Sequence, residues 1–260
     1  MAKRALVTGA GIRLGRALAL FLGSRGYDVA VHYANSALEA EEVVAEIKDM
    51  GSKSVALQAD LLDEDAALAL VDKSAEGLGG PLSVLVNNAS IFEYDTLESA
   101  TRSSWDRHIG SNLRAPFVLT QSFARQAPEA TIDENGEPLS KALVVNIIDQ
   151  RVLKPTPEFM TYTIAKMGLW AFTKTAAQAL APDIRVNAIG PGPTLRGTRQ
   201  SEEHFLTQRK NVLLGRGAHP EDVAAAMGYF LDAPAVTGQL ICVDGGQNLA
   251  WETPDILGVE

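Results

Sequence analysis

One cysteine, Cys242, occurs among the 260 residues of the chain. A single thiol excludes an internal disulfide and any zinc site made of several thiolates, and it agrees with a reducing compartment. Basic residues are also few: 23 Lys and Arg stand against 32 Asp and Glu, so the formal net charge is -9 at pH 7. Because the basic residues form no cluster, such a chain repels nucleic acid and anionic membranes, and we expect neither as a partner.

Long apolar runs are absent as well. No stretch of about 18 apolar residues occurs, and the N-terminal sequence lacks the apolar segment and cleavage site of a signal peptide. We therefore expect a soluble, cytoplasmic protein. His108, His204 and His219 lack the spacing of metal ligands, so no metal site is predicted, and these residues are expected at the surface or at helix ends.

The chain does contain a regular alternation of short apolar segments with longer segments of helical period. The predicted strands cover residues 5–8, 29–33, 55–58, 84–87, 143–148, 184–189 and 240–243, and the predicted helices cover residues 14–25, 37–50, 65–76, 103–126, 159–180, 201–211 and 221–231. Strands that are apolar throughout are typical of a parallel sheet with helices on both faces. We predict an α/β fold: a Rossmann-type, doubly wound, three-layer α-β-α sandwich with a central seven-stranded parallel sheet.

No internal repeat or linker is visible, so one domain is predicted over residues 1–260, with a short C-terminal tail from about residue 247. Residues 130–141 do not fit the alternation, and Asn135-Gly136 predicts a tight turn in a surface excursion. In the tail, Leu249 and Trp251 are unusual for a free terminus, which favours a tail that reaches the pocket of a partner subunit.

A glycine-rich turn follows the first predicted strand and opens a helix. Gly9, Gly11 and Gly15 permit a tight turn and close approach of the backbone to a pyrophosphate, while the helix N-terminus offers free N–H groups. After a first βα unit this pattern predicts a dinucleotide site, although a plain strand-to-helix connection is the alternative.

The end of the second predicted strand indicates which dinucleotide binds. NAD-binding proteins place Asp or Glu there, but this chain has no acid between the end of that strand and Glu39, which favours NADP. Arg13 adds a cation beside the phosphates, and donors for a 2′-phosphate are offered by His32, Asn35 and Ser36. Capping of the next helix is the alternative role of Asn35 and Ser36.

Tyr162 and Lys166 stand four residues apart and therefore share one helix face. A neighbouring cation favours the phenolate, so we expect the pKa of Tyr162 to be lowered and the phenol to exchange protons near neutrality.

Together the glycine turn, Asn87-Asn88-Ala89, Asn112, the Tyr162/Lys166 pair and Pro191-Gly192 resemble the short-chain dehydrogenase/reductase family, from Arg4 to about Gly246. The resemblance implies that Tyr162 is the catalytic acid, that Lys166 holds the nicotinamide ribose and that Asn112 supports a proton-relay water. Asp60 would contact the adenine. The implied cofactor-binding residues are Gly9, Arg13, Leu14, Gly15, His32, Tyr33, Asn35, Ser36, Asp60, Leu61, Asn88, Ala89, Ser90, Tyr162, Lys166, Pro191, Gly192 and Thr194. It also implies a homotetramer or homodimer packed through residues 103–126 and 159–180.

Two departures from the common family pattern are informative. Most of the family has Ser thirteen residues before the Tyr, where this chain has Asp149, and the usual turn has Gly where this chain has Arg13. Both departures resemble the pteridine reductase branch, which includes dihydromonapterin reductase. In that branch the Phe at position 92 and the nicotinamide sandwich a pterin ring, Ser90 contacts the pterin edge, and Arg13 reaches pyrophosphate and substrate. Asn35 stands where the branch often has Arg.

The sequence thus predicts an NADPH-dependent reductase of pterins of the dihydropterin, dihydromonapterin or dihydrofolate type, with proton supply from Asp149 and Tyr162. The predicted catalytic residues are Asp149, Tyr162, Lys166 and Asn112, and the predicted substrate-binding residues are Arg13, Ser90, Phe92, Asp149 and Tyr162. Ordinary packing of Phe92, and capping by Asp149 or its pairing with Arg151, are the alternatives for these residues. A 3-oxoacyl or small-ketone reductase is the rival enzyme, and a non-catalytic NADP-binding sensor is the rival from another class.

Overall fold

Nine strands are present in the computed structural model, which describes residues 3–197 and 200–253. They are β1 (Arg4–Val7), β2 (Asp28–Tyr33), β3 (Ser54–Gln58), β4 (Val84–Asn87), β5 (Thr131–Ile132), β6 (Pro138–Leu139), β7 (Ala142–Ile147), β8 (Ile184–Pro191) and β9 (Leu240–Val243). All but β5 and β6 form one parallel sheet in the order β3-β2-β1-β4-β7-β8-β9. The central strands β4 and β7 are buried along their whole length, which explains their continuous apolar sequence.

Helices cover both faces of this sheet. They are α1 (Arg13–Ser24), α2 (Ala37–Asp49), α3 (Glu64–Leu78), α4 (Arg102–Ile109), α5 (Ala115–Gln126), α6 (Met160–Leu180), α7 (Glu202–Lys210) and α8 (Pro220–Asp232). One core cluster joins the sheet to α1, α2 and α8, and a second joins it to α3, α5 and α6. The predicted three-layer sandwich with a seven-stranded parallel sheet is confirmed.

The predicted helix over residues 103–126 is wrong in one respect. Helices α4 and α5 are joined by a π-helical segment, Gly110–Arg114, that contains the fully buried Asn112. Such a segment widens the helix locally, and it often occurs at functional sites because it re-aims a side chain. The helical period of the sequence continues through the segment, so nothing local marks it.

Residues 130–141 form the predicted surface excursion. Strands β5 and β6 pair as an antiparallel hairpin, and Gly136 has φ +82° in the connecting turn. In the tail, Leu249 and Trp251 are exposed at 63% and 55%, while residues 254–260 lie outside the described part of the chain. No helix within residues 3–197 and 200–253 is long and apolar enough to cross a membrane.

Candidate active site

Most of the predicted site residues lie at the carboxyl ends of β1, β4, β7 and β8. In this sheet the strand order reverses between β1 and β4, and ligands of open α/β sheets bind in the crevice at that point. The glycine turn follows β1, the segment with Asn88, Ala89 and Ser90 follows β4, Asp149 follows β7, and Gly192 follows β8.

Two positions of the glycine turn favour glycine, Gly9 for its backbone conformation and Gly15 for lack of space. Gly9 adopts φ +62°, and a Cβ on Gly15 would lie 2.0 Å from the carbonyl oxygen of Gly9. The Asn88 side chain holds the turn, because Nδ2 donates to the carbonyl oxygens of Thr8 at 2.8 Å and of Gly9 at 3.2 Å. The nearby backbone N–H of Ala89 donates to the Thr8 hydroxyl.

Helix α1 begins beside this turn without a side-chain cap and without an acidic residue in its first turn. Uncapped N–H groups at the positive end of a helix dipole favour an anion, so the cradle fits a pyrophosphate. Leu14, in the first turn of α1, packs against the core on the sheet side of the helix.

Arg13 links the glycine turn to the segment after β8. Its guanidinium donates to the carbonyl oxygens of Arg196 at 2.8 Å and of Leu195 at 3.2 Å. The residue adopts φ +56°, a conformation that strains a non-glycine residue and persists only where the surroundings hold it.

The structure removes His32 from the predicted phosphate-binding set. Its side chain is 1% exposed, Nδ1 lies 3.0 Å from the backbone nitrogen of Gly9, and Nε2 lies 3.1 Å from the carbonyl oxygen of Ala59. The Gly9 N–H is a donor, so Nδ1 accepts from it and Nε2 carries the proton donated to Ala59. Burial also lowers the pKa of His32 and keeps the ring neutral. The residue positions the glycine turn and has no ring nitrogen left for a phosphate.

The other residues predicted for the adenosine half lie at the ends of β2 and β3. Tyr33 packs against the core, and Asn35 is exposed. Ser36 precedes α2, but its hydroxyl makes no capping hydrogen bond, which is against the alternative role proposed for it. After β3, Asp60 is exposed and accepts from the backbone N–H of Leu62, and Leu61 is buried.

Asp149 and Tyr162 are in direct contact. The Tyr162 hydroxyl donates to Oδ2 of Asp149 at 2.9 Å, and the backbone N–H of Arg151 donates to Oδ1 at 2.8 Å. The carboxylate therefore caps the short helical turn that follows it and also faces the predicted catalytic tyrosine. Loss of water around the carboxyl raises the pKa of Asp149 above its ordinary value.

Lys166 lies one turn further along α6, where only 2% of it is exposed. Its ammonium donates to the carbonyl oxygen of Ile147 at 2.9 Å and lies 5.7 Å from the centre of the Tyr162 ring. Burial lowers the pKa of Lys166 to about 8. The expected lowering of the pKa of Tyr162 is wrong for this structure, because burial and the charge of Asp149 raise that pKa well above its ordinary value.

Asn112 fastens the loop after β4. Its side chain donates to the carbonyl oxygen of Ile91 and accepts from the backbone N–H of the same residue, both at 2.8 Å. Ser90 and Phe92 flank the clamped residue, and both are exposed. The predicted role of Asn112 in supporting a water stays a prediction.

Phe92 belongs to an aromatic cluster that the sequence did not reveal. Its ring stacks on Phe159 with centroids 4.3 Å apart and meets the Tyr162 ring edge-on at 4.7 Å. The Tyr94 ring meets the Phe159 ring edge-on and completes the cluster. Phe159 immediately precedes α6 and has φ +55°. An aromatic residue three positions before the tyrosine was the only local signal.

The segment after β8 forms the last wall of the site. Pro191 ends β8, the hydroxyl of Thr194 donates to the carbonyl oxygen of Gly192, and a Cβ on Gly192 would lie 2.6 Å from that of Asp244. Arg209 of α7, which sequence reasoning missed, donates to the carbonyl oxygens of Pro193, Gly217 and Ala218. This guanidinium ties α7 to the wall.

The three histidines that were expected at the surface or at helix ends differ from one another. His204 is exposed and His219 immediately precedes α8, as expected, but His108 is fully buried beside Thr161, so its predicted surface position is wrong. Over the described residues there is no group of three or more His, Cys, Asp or Glu that could hold a metal ion.

Known proteins are similar to this chain over nearly its whole length. A family model described as enoyl-(acyl carrier protein) reductase matches residues 9–248. The 3-oxoacyl-(acyl-carrier-protein) reductase FabG of Staphylococcus aureus is 35% identical over 257 residues, which are 96% of this chain and 99% of that protein.

Two solved structures are also similar. FolM alternative dihydrofolate reductase 1 from Brucella canis, complexed with NADP, has a TM-score of 0.90 at 42% identity and covers 98% of this chain and 97% of its own. A short chain dehydrogenase from Burkholderia cenocepacia J2315, in complex with NADP, has a TM-score of 0.86 at 32% identity, with 95% and 98% covered. With its sheet order, glycine cradle and Tyr162/Lys166 pair, the chain belongs to the short-chain dehydrogenase/reductase family of oxidoreductases.

Proposed function

We propose that the protein is an NADPH-dependent reductase of pterins of the dihydropterin, dihydromonapterin or dihydrofolate type. The contact of 2.9 Å between the Tyr162 hydroxyl and Asp149, beside the exposed ring of Phe92, carries the proposal. An ionised carboxylate repels a substrate carbonyl oxygen, whereas a carboxyl group can donate to a ring nitrogen or accept from an amino group. Phe92 offers an exposed, flat surface on which a planar heterocycle stacks.

The cofactor cradle supports NADPH. The uncapped start of α1 and the glycine turn suit the pyrophosphate, the free Ser36 hydroxyl and the absence of an acid at the end of β2 suit a 2′-phosphate, and Lys166 would hold the nicotinamide ribose. When bound, NADPH supplies a hydride from nicotinamide C4 to a ring carbon of a C=N bond. Two of the similar solved structures are complexes with NADP.

The chain itself supplies the proton. Burial raises the pKa of Asp149 above its ordinary value, and the Tyr162 hydroxyl lies within hydrogen-bond distance of the carboxyl group. In this arrangement Asp149 and Tyr162 deliver a proton to the ring nitrogen beside the reduced carbon, directly or through water. Asn112 holds the loop that presents Ser90 and Phe92 to the substrate.

A ketone reductase is the second candidate, and its support is the 35% identity to FabG, a 3-oxoacyl reductase. The usual serine hydroxyl that orients a carbonyl is replaced here by Asp149, which is unfavourable for that chemistry. A non-catalytic sensor is less favoured because Asn112, Tyr162 and Lys166 are all present.

The test is a parallel assay of NADPH oxidation by the purified protein. Dihydrobiopterin, dihydromonapterin, dihydrofolate and an acetoacetyl thioester are compared, each with NADPH and with NADH. We expect turnover of at least one pterin, a preference for NADPH, and little turnover of the thioester. Thioester turnover without pterin turnover would establish the rival enzyme, and no turnover of any of these substrates by the wild-type protein would favour the sensor.

Asp149→Ser, which restores the common family residue, sharpens this assay. We expect it to lose pterin turnover by about a hundredfold, since one positioned acid or base typically contributes that much, and to keep NADPH affinity. Asp72→Ser, which changes an exposed carboxylate of α3, is the matched control and should leave both values unchanged. Undiminished pterin turnover by Asp149→Ser would contradict the assigned role.

We also infer that copies of the chain assemble as a homodimer or homotetramer through α4, α5 and α6. Trp105, Ile164 and Met167 expose apolar side chains on α4 and α6 at 42%, 41% and 45%. Light scattering of the wild-type protein and of Trp105→Glu tests this, because a charge in an apolar interface lowers the mass of the assembly.

A further inference from the structure

Helix α6, which carries Tyr162, begins without a cap of its own. The preceding residue, Phe159, adopts a left-handed conformation and its side chain caps nothing. The first N–H groups of a buried helix need acceptors, and here they come from the loop after β4. The backbone N–H of Thr161 donates to Oδ1 of Asp95 at 3.1 Å, and that of Met160 reaches the Asp95 carbonyl oxygen at 3.4 Å. Asp95 therefore caps α6 from a different part of the chain.

The Thr161 side chain extends this contact into a buried chain of hydrogen bonds. Its hydroxyl donates to Oδ2 of Asp95 and lies 2.6 Å from Nδ1 of His108. On the far side of the ring, the backbone N–H of Glu93 donates to Nε2 at 3.1 Å. Because Nε2 accepts, the His108 proton is assigned to Nδ1, which donates it to the Thr161 hydroxyl. The chain thus runs in one direction, from Glu93 through His108 and Thr161 to Asp95.

The pKa shifts of Asp95 and His108 agree with this direction of hydrogen-bond donation. Asp95 is 2% exposed and His108 is fully buried. Burial opposes ionisation of Asp95, but hydrogen bonds from Thr161 and Ser104 outweigh it, so its pKa lies below the ordinary value. Burial lowers the pKa of His108 and keeps the ring neutral. An ionised carboxylate at the positive end of α6 is also favoured by the helix dipole.

This chain of hydrogen bonds connects the loop after β4, which carries Phe92, to the start of α6, which carries Tyr162. Asp95 follows Phe92 by three residues, Thr161 immediately precedes Tyr162, and the His108 ring lies edge-on to the Tyr162 ring with centroids 6.0 Å apart. A change in the first turn of α6 would therefore move the Tyr162 hydroxyl relative to Asp149.

We propose that Asp95, Thr161 and His108 are positioning residues that hold the Tyr162 hydroxyl against Asp149 and couple the loop after β4, which carries Phe92, to α6. None of the three touches the reacting atoms. The inference rests on Tyr162 and Asp149 being the proton-delivering pair of the proposed function, and it is independent of which substrate is reduced.

The first test compares Thr161→Val, which keeps the shape and removes the hydroxyl, with Thr161→Ser, which keeps the hydroxyl. A displacement of the proton donor by about an ångström lowers turnover by up to roughly a hundredfold. We expect Thr161→Val to lower kcat by about tenfold or more while the Kd of NADPH stays within about twofold of the wild-type value. Thr161→Ser should keep most of the wild-type kcat.

Thr173→Val is the matched control. Thr173 is also fully buried in α6, and its hydroxyl donates to the Leu169 carbonyl oxygen and accepts from Asn146. A purely structural role predicts that both valine variants lose stability and kcat alike. Equal kcat losses in the two variants, or a wild-type kcat in Thr161→Val, would overturn the proposal. If Thr161→Val does not fold, His108→Asn breaks the same chain and replaces it.

A second readout needs no substrate and separates this inference from the proposed function. The ionisation of Tyr162 is followed by ultraviolet difference spectroscopy of each variant against the same variant carrying Tyr162→Phe. We expect Thr161→Val to bring the pKa of Tyr162 closer to its ordinary value, since the hydroxyl moves away from Asp149, and Thr173→Val to leave it unchanged. An unchanged Tyr162 titration in Thr161→Val would contradict the positioning role even if no substrate is turned over.

Discussion

The Tyr162 hydroxyl lies 2.9 Å from Oδ2 of Asp149, and the Lys166 ammonium lies below the same ring. The pKa values of Asp149 and Tyr162 are raised and that of Lys166 is lowered. The three groups lie together at the end of β7 and in the first turns of α6. Such opposed shifts are typical of sites that move protons.

Asp149→Asn should lower the pKa of Tyr162. The carboxylate charge and the hydrogen bond to it both favour the neutral phenol, and the amide keeps the shape without the charge. Ultraviolet difference titration against the double variant with Tyr162→Phe isolates this phenol from the other four tyrosines. A Tyr162 titration that is unchanged or moves to higher pH would show that burial alone sets its pKa.

Lys166 should make the enzyme more stable as the pH rises above neutrality. Burial lowers its pKa from 10.5 to about 8, so between these values the unfolded chain holds a proton that the folded enzyme has released. The free energy of unfolding therefore increases with pH through this window, by roughly 3 kcal/mol for this residue. Urea unfolding of wild type and of Lys166→Met measures the contribution by difference. A difference, wild type minus variant, that stays flat or falls between about pH 8 and pH 10 would contradict the prediction.

His32→Phe should destabilise the fold without changing the choice between NADPH and NADH. It leaves the Gly9 N–H and the Ala59 carbonyl without their buried partner, at a cost of roughly 1–3 kcal/mol in the free energy of unfolding. Both dinucleotides should bind more weakly by the same factor, because the shared glycine turn is loosened. Denaturant unfolding and fluorescence titration measure the two effects.

Ser36→Ala, in contrast to His32→Phe, is expected to change the choice between NADPH and NADH without destabilising the fold. Its hydroxyl makes no capping bond, so stability should change little, while the affinity for NADPH alone should fall. If Ser36→Ala weakens NADH equally, or if His32→Phe alters the ratio of the two affinities, the assignment of these residues is wrong.

Phe159→Leu should impair binding of a planar substrate more than that of a ketone. The variant keeps apolar volume but loses the parallel stack that orients Phe92. An aromatic pair contributes about 0.5–1.5 kcal/mol, so KM for a dihydropterin should rise roughly twofold to tenfold. Phe159→Tyr keeps the stack and serves as the control in the same steady-state assay. An equal change in KM for an acetoacetyl thioester would indicate a general loss of order in the site.

The fold was largely predictable because its signals are local. Apolar segments alternate with helical periods along the whole chain, and the Tyr162/Lys166 spacing places both side chains on one face of α6 whatever surrounds it. The glycine turn followed from the requirement for a small residue at Gly15, where any side chain meets the Gly9 carbonyl. The π-helical segment at Asn112 was not predictable, since its sequence keeps the helical period.

By itself, then, the sequence determined the seven-stranded sheet, the cradle after β1 and the residue types brought to the strand ends. Only the tertiary structure decided how those residues are used. His32 and His108 are buried by elements distant in the chain, and Phe159 stacks on Phe92, which is far from it in the sequence. The pKa of Tyr162 rises because burial and Asp149 outweigh the nearby charge of Arg151. Solvation and charge act through space, and no spacing along the chain records their balance.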